Sequence, residues 1–142
     1  MPILQPRDED AVRKEFERIA GPVKLVVFSQ ELVAADLCRQ NEALIKEVAA
    51  LDGRITVEVL NPTIDRERAE GYGIDQVPAT VVEGARDYGV RFLGIPSGYE
   101  FSNLVDAIIA VSSGEAALTD DTKASLAALA GDVHIKVFST PT

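Results

Sequence analysis

The hexapeptide VPATVV, Val77–Val82, is a short and mostly apolar run that begins with an X-Pro pair. Proline cannot donate a hydrogen bond to a sheet ladder, so Pro78 is expected at the start or the edge of a strand. A turn at Glu83-Gly84-Ala85 follows, and the run from Tyr88 to Leu93 predicts an antiparallel partner. The segment therefore predicts a β-hairpin whose first strand is entered through a proline.

Residue periodicity predicts further strands and helices on both sides of this hairpin. Val23–Phe28 is almost entirely apolar, as expected for a strand that is covered on both faces. Arg54–Leu60 alternates apolar and polar residues, which is typical of a strand. The predicted helices are Asp8–Ala20, Ala34–Leu51, Ile64–Tyr72 and Tyr99–Val111, the last with Ser97 and Glu100 as a capping box. This order indicates an α/β fold with a four-stranded mixed sheet and helices on both of its faces.

Beyond residue 112 the pattern starts again. Thr119-Asp120-Asp121-Thr122 is a helix-start signal, and Val133–Phe138 reads as a strand much like Val23–Phe28. We therefore expect residues 1–112 to form one complete unit, followed in residues 113–142 by a linker, a helix and the first strand of a truncated second unit. Without the rest of its sheet, that strand is expected to be poorly ordered or to pair with an exposed strand edge.

Charge and residue counts exclude several classes of function. The 142 residues contain 14 Lys and Arg against 23 Asp and Glu, and the net charge of −9 argues against nucleic acid or an anionic membrane as a partner. One cysteine, Cys38, and one histidine, His134, exclude a disulfide framework and a zinc cluster, so neither metal nor cofactor is expected. Met1–Asp10 is too polar for a signal peptide, which predicts a cytoplasmic protein.

Four stretches of the sequence have a recognisable pattern: Val23–Phe28, Tyr72–Thr80, Gly89–Phe101 and Val137–Thr142. Together they resemble the N-terminal half of the protein disulfide oxidoreductases, glutaredoxin-like proteins built from two tandem thioredoxin-fold units. The block Gly89–Phe101 is the most specific of the four. It is also similar to the N-terminal domain of the flavoprotein subunit of alkyl hydroperoxide reductase. The resemblance implies a thioredoxin fold for residues 1–112.

In that family a Cys-x-x-Cys motif lies in the loop that enters the long helix, where the helix N-terminus stabilises a thiolate. The corresponding stretch here is Ser29–Cys38. Alignment from the end of the helix puts Ala35 and Cys38 in the two cysteine positions, whereas alignment from the preceding strand puts Ala34 and Leu37 there. Neither alignment supplies a dithiol, so dithiol–disulfide cycling within this chain is excluded. Cys38 is left as a weak catalytic candidate, and a buried small hydrophobe is the structural interpretation of the same residue.

The resemblance also implies a docking surface. The family's site contains a cis-proline opposite the cysteines, and Pro78 matches it. In relatives the backbone of the preceding residue, here Val77, pairs with an extended substrate segment. Val77, Pro78 and Ala35 are therefore the candidate residues for docking a substrate or a partner.

The function implied by the resemblance is a degenerate, redox-inactive unit with a structural or docking role. The chain alone is not expected to be an enzyme, whereas its parent protein would be a thiol–disulfide oxidoreductase that acts through a missing second unit. The alternatives are a monothiol redox protein that uses Cys38, and a peptide-docking or peroxidase-docking module. The expected partners are the second thioredoxin-fold unit of the same polypeptide, protein substrates, a thioredoxin-reductase-like flavoprotein, a peroxidase, or a second copy in a homodimer.

Overall fold

A single sheet of four strands organises the computed structural model, which describes residues 2–140. The strands are β1 (Val23–Phe28), β2 (Ile55–Leu60), β3 (Ala79–Glu83) and β4 (Val90–Leu93), in the spatial order β2-β1-β3-β4. β1 runs parallel to β2 and antiparallel to β3, which in turn pairs antiparallel with β4. The predicted mixed sheet and hairpin are confirmed.

Five α-helices surround or follow the sheet: α1 (Pro6–Phe16), α2 (Ala35–Ala49), α3 (Arg66–Tyr72), α4 (Phe101–Ser113) and α5 (Asp120–Ala127). The predicted capping box is wrong, because Gly98–Glu100 forms a 3₁₀ turn that delays α4, and Ser97 makes no side-chain cap. α1 also ends earlier than predicted. The guanidinium of Arg54 donates hydrogen bonds of 2.9 and 2.6 Å to the carbonyls of Phe16 and Ile19, which fixes the turn after the helix.

The two faces of the sheet carry different helices. α1, α2 and α4 share one hydrophobic cluster with the alternate β1 residues Val23, Leu25 and Val27. The short α3 packs on the other face, where Val26 and Phe28 contribute to a second, smaller cluster. Helices on both faces, as predicted, follow from the nearly continuous apolar sequence of β1, which is buried on both sides.

Because α3 is short, a polar network covers part of its face of the sheet. Lys24 on β1 lies 3.0 Å from Glu58 on β2 and 3.2 Å from Glu83 on β3. Arg68 on α3 makes two hydrogen bonds to the same Glu58 carboxylate. The hydrogen bonds from Arg68 and Lys24 lower the pKa of Glu58 to about 2. Alternating charges thus bridge β2, β1 and β3, and Arg68 links this network to α3.

The segment after α4 departs from the prediction. Thr119 caps α5 as expected, accepting a hydrogen bond from the Thr122 amide. Residues 132–140 have no regular secondary structure and are exposed, so Val133–Phe138 does not form a strand here, and its assignment to a second unit stays a prediction. The physical reason is that a strand needs a neighbour to pair its backbone, and none is present beside this segment. Pro141 and Thr142, the end of the recognised tail stretch, lie outside the described residues, and the division at residue 112 stays a prediction.

Within residues 2–140, no helix has the length and apolar character needed to cross a membrane.

Candidate functional site

The candidate site lies at one end of the sheet, where β1 ends and β3 begins. Phe28, the last residue of β1, is paired with Leu60 of β2 and with Ala79 of β3. The loop that follows Phe28 therefore lies next to the Val77–Pro78 pair, which directly precedes β3. The sheet brings together the two segments that the sequence singled out separately.

The Val77–Pro78 peptide bond is cis. The carbonyl of Pro78 accepts a hydrogen bond of 2.9 Å from the amide of Gly94, just beyond β4. By contrast, the backbone N–H and C=O of Val77 make no hydrogen bond to any other residue of the described chain, 2–140. Val77 is half-buried, and it packs against the smaller cluster to which Val26 and Phe28 belong.

The loop from Ser29 to Ala34 is apolar at its outer end. Leu32 is 94% exposed and Val33 58% exposed, and Leu37 on the first turn of α2 is 48% exposed. Ala34 stands at the N-cap of α2 with φ of +50°, a left-handed conformation that is uncommon for a residue other than glycine. Ala35, the first residue of α2, is half-buried. The helix entrance thus presents apolar side chains to solvent.

Cys38 points the other way. Its side chain is fully buried, and its Sγ lies 3.8 Å from the carbonyl of Val33, to which it donates a weak hydrogen bond. The backbone amide of Cys38 donates to the Ala34 carbonyl at 2.9 Å, which is the first regular bond of α2. The thiol is therefore on the core side of the helix, and this agrees with the structural interpretation of the residue.

A buried polar pair beneath the site escaped the sequence reasoning. Asn41, three residues after Cys38 on α2, donates from Nδ2 to the Thr80 hydroxyl on β3 at 3.1 Å, and both side chains are fully buried. The Asn41 Oδ1 atom has no hydrogen-bond partner in the described structure. The signal in the sequence was a polar residue within each of two apolar patterns. This bond ties α2 to β3 two residues after Pro78, and so fixes the spacing of the loop from the Val77–Pro78 pair.

A groove of about 450 Å³ opens on the β2 side of the same loop. Leu32 forms one wall, and Val59 and the 81%-exposed Ile64 form the other. The site thus consists of apolar side chains and free backbone groups. These can bind an extended segment, but no second thiol is available to complete a disulfide.

A sheet of order β2-β1-β3-β4, with α2 and α4 on one face and α3 on the other, defines the class of the protein. It has the thioredoxin fold, and the site differs from that of a dithiol member in holding one buried cysteine. The predicted fold class is confirmed.

Solved structures of redox proteins match this fold closely. The alkylhydroperoxide reductase protein AhpF from Enterococcus faecalis superposes with a TM-score of 0.80 and 26% identity, over 89% of this chain and 61% of that one. A protein disulfide oxidoreductase from Aeropyrum pernix gives a TM-score of 0.78 at 24% identity, over 92% of this chain and 57% of that one. The two resemblances inferred from the sequence are confirmed as structural neighbours.

Sequence comparison gives two curated relatives of much greater length. A protein named NADH dehydrogenase from Ferdinandcohnia aciditolerans is 30% identical over 111 residues, and one of the same name from Bacillus subtilis is 26% identical over 103 residues. The chain spans 18% of the length of each. No family model matches the chain. The matched region is therefore a thioredoxin-like part of larger proteins.

Proposed function

We propose that this chain is a thioredoxin-fold docking unit, without a dithiol of its own, that supports thiol–disulfide exchange by another unit of a larger redox protein. The observation that carries the proposal is which side chains are exposed where the chain enters α2. Its neighbouring cysteine, Cys38, is fully buried, whereas Leu32 is almost fully exposed. A thiol must reach its disulfide to attack it, while exposed apolar side chains gain free energy when a partner covers them.

The backbone of Val77 supplies the second half of the docking surface. Its N–H and C=O are unpaired within residues 2–140 and lie beside the loop, so an extended partner segment would gain two main-chain hydrogen bonds there. Leu32 and Val33 would contact the side chains of that segment. Ala35, at the start of α2, offers a small surface that lets the partner approach closely.

Burial disfavours the monothiol alternative. For Cys38 to form a mixed disulfide, the start of α2 would have to open and break the bond between the Cys38 amide and the Ala34 carbonyl. The same burial favours the alignment that puts Cys38 in the shielded second position and Ala35 in the first, because Leu37 is partly exposed.

The short length of this chain relative to the proteins it resembles supports a role within a larger protein. The chain covers 18% of each curated relative and about three fifths of the chain of the Enterococcus faecalis structure. Its partners would then be the following thioredoxin-fold unit and the protein substrates of that unit, in the cytoplasm.

The experiment is a titration of the ¹⁵N-labelled chain with an extended peptide that contains an intact disulfide. We expect amide shift changes at Val77–Thr80 and in the loop Ser29–Ala34. Leu32→Ser should weaken binding about fivefold, since partial burial of a leucine is worth about 1 kcal/mol. Leu118→Ser, at an exposed leucine in the segment after α4, is the matched control and should bind like the parent. Unchanged amides at Val77–Thr80, or equal weakening by both substitutions, would contradict the proposal.

A second candidate is a docking module for a peroxidase system, and the similarity to the alkylhydroperoxide reductase protein AhpF favours it. The test is co-purification from a native extract with either a peroxidase or a thioredoxin-reductase-like flavoprotein. Recovery of one of them that depends on Leu32 would support this candidate. Recovery of neither would leave the tandem unit as the only supported partner.

A further inference from the structure

A second groove, separate from the Val77–Pro78 surface, lies between α1 and α4. It has a volume of about 660 Å³. Its floor is apolar and consists of buried or half-buried side chains from three helices: Val12 of α1, Leu44 of α2, and Phe101 and Val105 of α4. The function proposed above makes no use of this groove.

Hydrogen bonds fix the groove at both of its ends. The amide of Ala20, just after α1, donates to the Ser112 hydroxyl on the last turn of α4 at 3.0 Å. At the other end, the amides of Ile3 and Leu4 donate to the Glu47 carboxylate of α2 at 2.8 Å. Leu4 is buried by this contact, whereas Ile3 stays 45% exposed at the mouth of the groove. The groove is therefore already formed in the free chain.

The two walls have the spacing of helix surfaces. On α1 the lining residues Asp8, Ala11 and Glu15 follow one another at three and four positions, over about 10 Å or two helical turns. On α4 the lining residues Ser102 and Asp106 are four positions apart. Rows of side chains at this spacing fit a third helix. An extended strand would find no partner here, because the main-chain groups of both walls are bonded within their own helices.

Every charged side chain that lines the groove in the described chain is acidic: Asp8, Glu15 and Asp106. Glu15 pairs with Arg18 at 3.1 Å, whereas Asp8 and Asp106 form no ion pair within residues 2–140. Asp8 suits the first turn of α1 through the helix dipole. Asp106, however, is the one charged residue of α4 and lies exposed in the middle of the helix, where aspartate is a poor helix former. Nothing in the fold of this unit requires a carboxylate there.

We propose that the groove between α1 and α4 binds a basic amphipathic helix of a partner protein. Apolar side chains from two turns of that helix would cover the floor, and lysine or arginine on its flanks would lie beside Asp8 and Asp106. The chain's own next helix, α5, lies outside the groove and begins with two acidic residues, Asp120 and Asp121. A second copy is disfavoured because each chain has a net charge of −9.

The experiment is a titration of the ¹⁵N-labelled 142-residue chain with a synthetic helical peptide. The peptide has about 14 residues, with leucine at every third or fourth position and lysine at the others. We expect amide shift changes over residues 8–15 and 98–106. Replacing the lysines of the peptide by glutamine, or its leucines by serine, should weaken binding at least about tenfold, because either change removes one half of the recognition.

Two exposed positions of the groove test its charge and its shape. Asp106→Lys should weaken binding of the leucine–lysine peptide about fivefold, since an attraction at the rim becomes a repulsion. Asp132→Lys makes the same change in the irregular segment 132–140 and should bind like the parent. Ala11→Trp should fill the groove and weaken binding at least about tenfold, whereas Ala124→Trp, on the exposed α5, should leave it unchanged.

Four results would overturn the proposal. The first is equal binding of the lysine and glutamine peptides, which would make the groove an ordinary apolar surface. The second is shift changes at Val77–Thr80 in place of the groove, which would put the peptide on the other surface. The third is groove amides that move with the concentration of the chain alone, which would assign the groove to a second copy. The fourth is binding that neither Asp106→Lys nor Ala11→Trp weakens.

Discussion

Gly84→Ala tests how closely α4 is packed against the end of β3. A Cβ atom built on Gly84 would lie 2.0 Å from the carbonyl oxygen of Val111 and 2.8 Å from its carbonyl carbon. Non-bonded heavy atoms need more than about 3 Å, so the two backbones would have to separate by about 1 Å. No flexible side chain can give way, because the nearest atoms belong to the backbone.

The loss of unfolding free energy follows from the packing of α4 that this separation would disturb. α4 buries Leu104, Val105, Ile108 and Val111 against the core. Overpacking of a well-packed core usually costs about 1–3 kcal/mol, and a backbone clash of this depth belongs at the upper end, about 3 kcal/mol. For a domain of this size that corresponds to a fall in Tm of about 10 °C.

Urea and thermal unfolding followed by circular dichroism measure the effect, with Gly71→Ala as the control. Gly71 lies inside α3, and a Cβ there meets nothing within 4 Å. Alanine should stabilise that helix by up to about 1 kcal/mol. The two substitutions should therefore change stability in opposite directions. A Gly84→Ala chain within about 0.5 kcal/mol of the parent, the effect of an ordinary surface substitution, would refute the packing described here.

Three further predictions concern polar contacts of the fold. Glu58→Gln should lower the free energy of unfolding at pH 7. Because the pKa of Glu58 is lowered to about 2, its charge stabilises the folded state above the unfolded-state pKa and is lost on protonation. In urea unfolding at several pH values, the difference from the parent should therefore shrink as pH falls from about 5 and vanish near pH 2. Arg54→Ala should lower the Tm in thermal unfolding, because it removes the donor of the Ile19 carbonyl and one of the two donors of the Phe16 carbonyl, which keeps its bond from the Ile19 amide. Arg54→Lys should restore only part of this loss in Tm, since one ammonium cannot replace the guanidinium fork. Asn41→Ala and Thr80→Val should each cost about 1–3 kcal/mol, and the double variant should cost less than their sum; strict additivity in this cycle would mean that the bond between α2 and β3 contributes nothing.

Much of the sheet could be predicted because its signals are local. The proline before β3 and the turn after it mark the hairpin, and the apolar sequence of β1 requires helices on both faces. The end of α3 was predictable from Gly73, which adopts φ of +68° as the C-cap of the helix. Each of these features depends on the chemistry of a few neighbouring residues.

The differences arise where distant residues decide the conformation. Val133–Phe138 has the composition of a strand, but a strand forms only when another edge pairs with it. The early end of α1 depends on Arg54, a residue 38 positions after Phe16 in the sequence. Nothing in the sequence around Ala34 indicates a left-handed conformation, because alanine has no preference for it.

For the candidate site, the sequence located the segments but not their contacts. Cys38, Ala35, Val77 and Pro78 came from the pattern of residues and the resemblance it carries. The direction of the Cys38 thiol depends on the phase of α2 against the sheet, which only the packed structure gives. The Asn41–Thr80 bond likewise needs the register of α2 against β3.

The most direct test of the central claim, that this unit has no thiol chemistry of its own, is the rate at which iodoacetamide modifies Cys38. The measurement compares the folded chain at neutral pH with the chain unfolded in urea. A fully buried thiol reacts only when the structure opens, so we predict a rate at least about a thousandfold lower in the folded chain. Modification of the folded chain at a rate close to that of the unfolded chain would contradict the account and favour a monothiol redox protein.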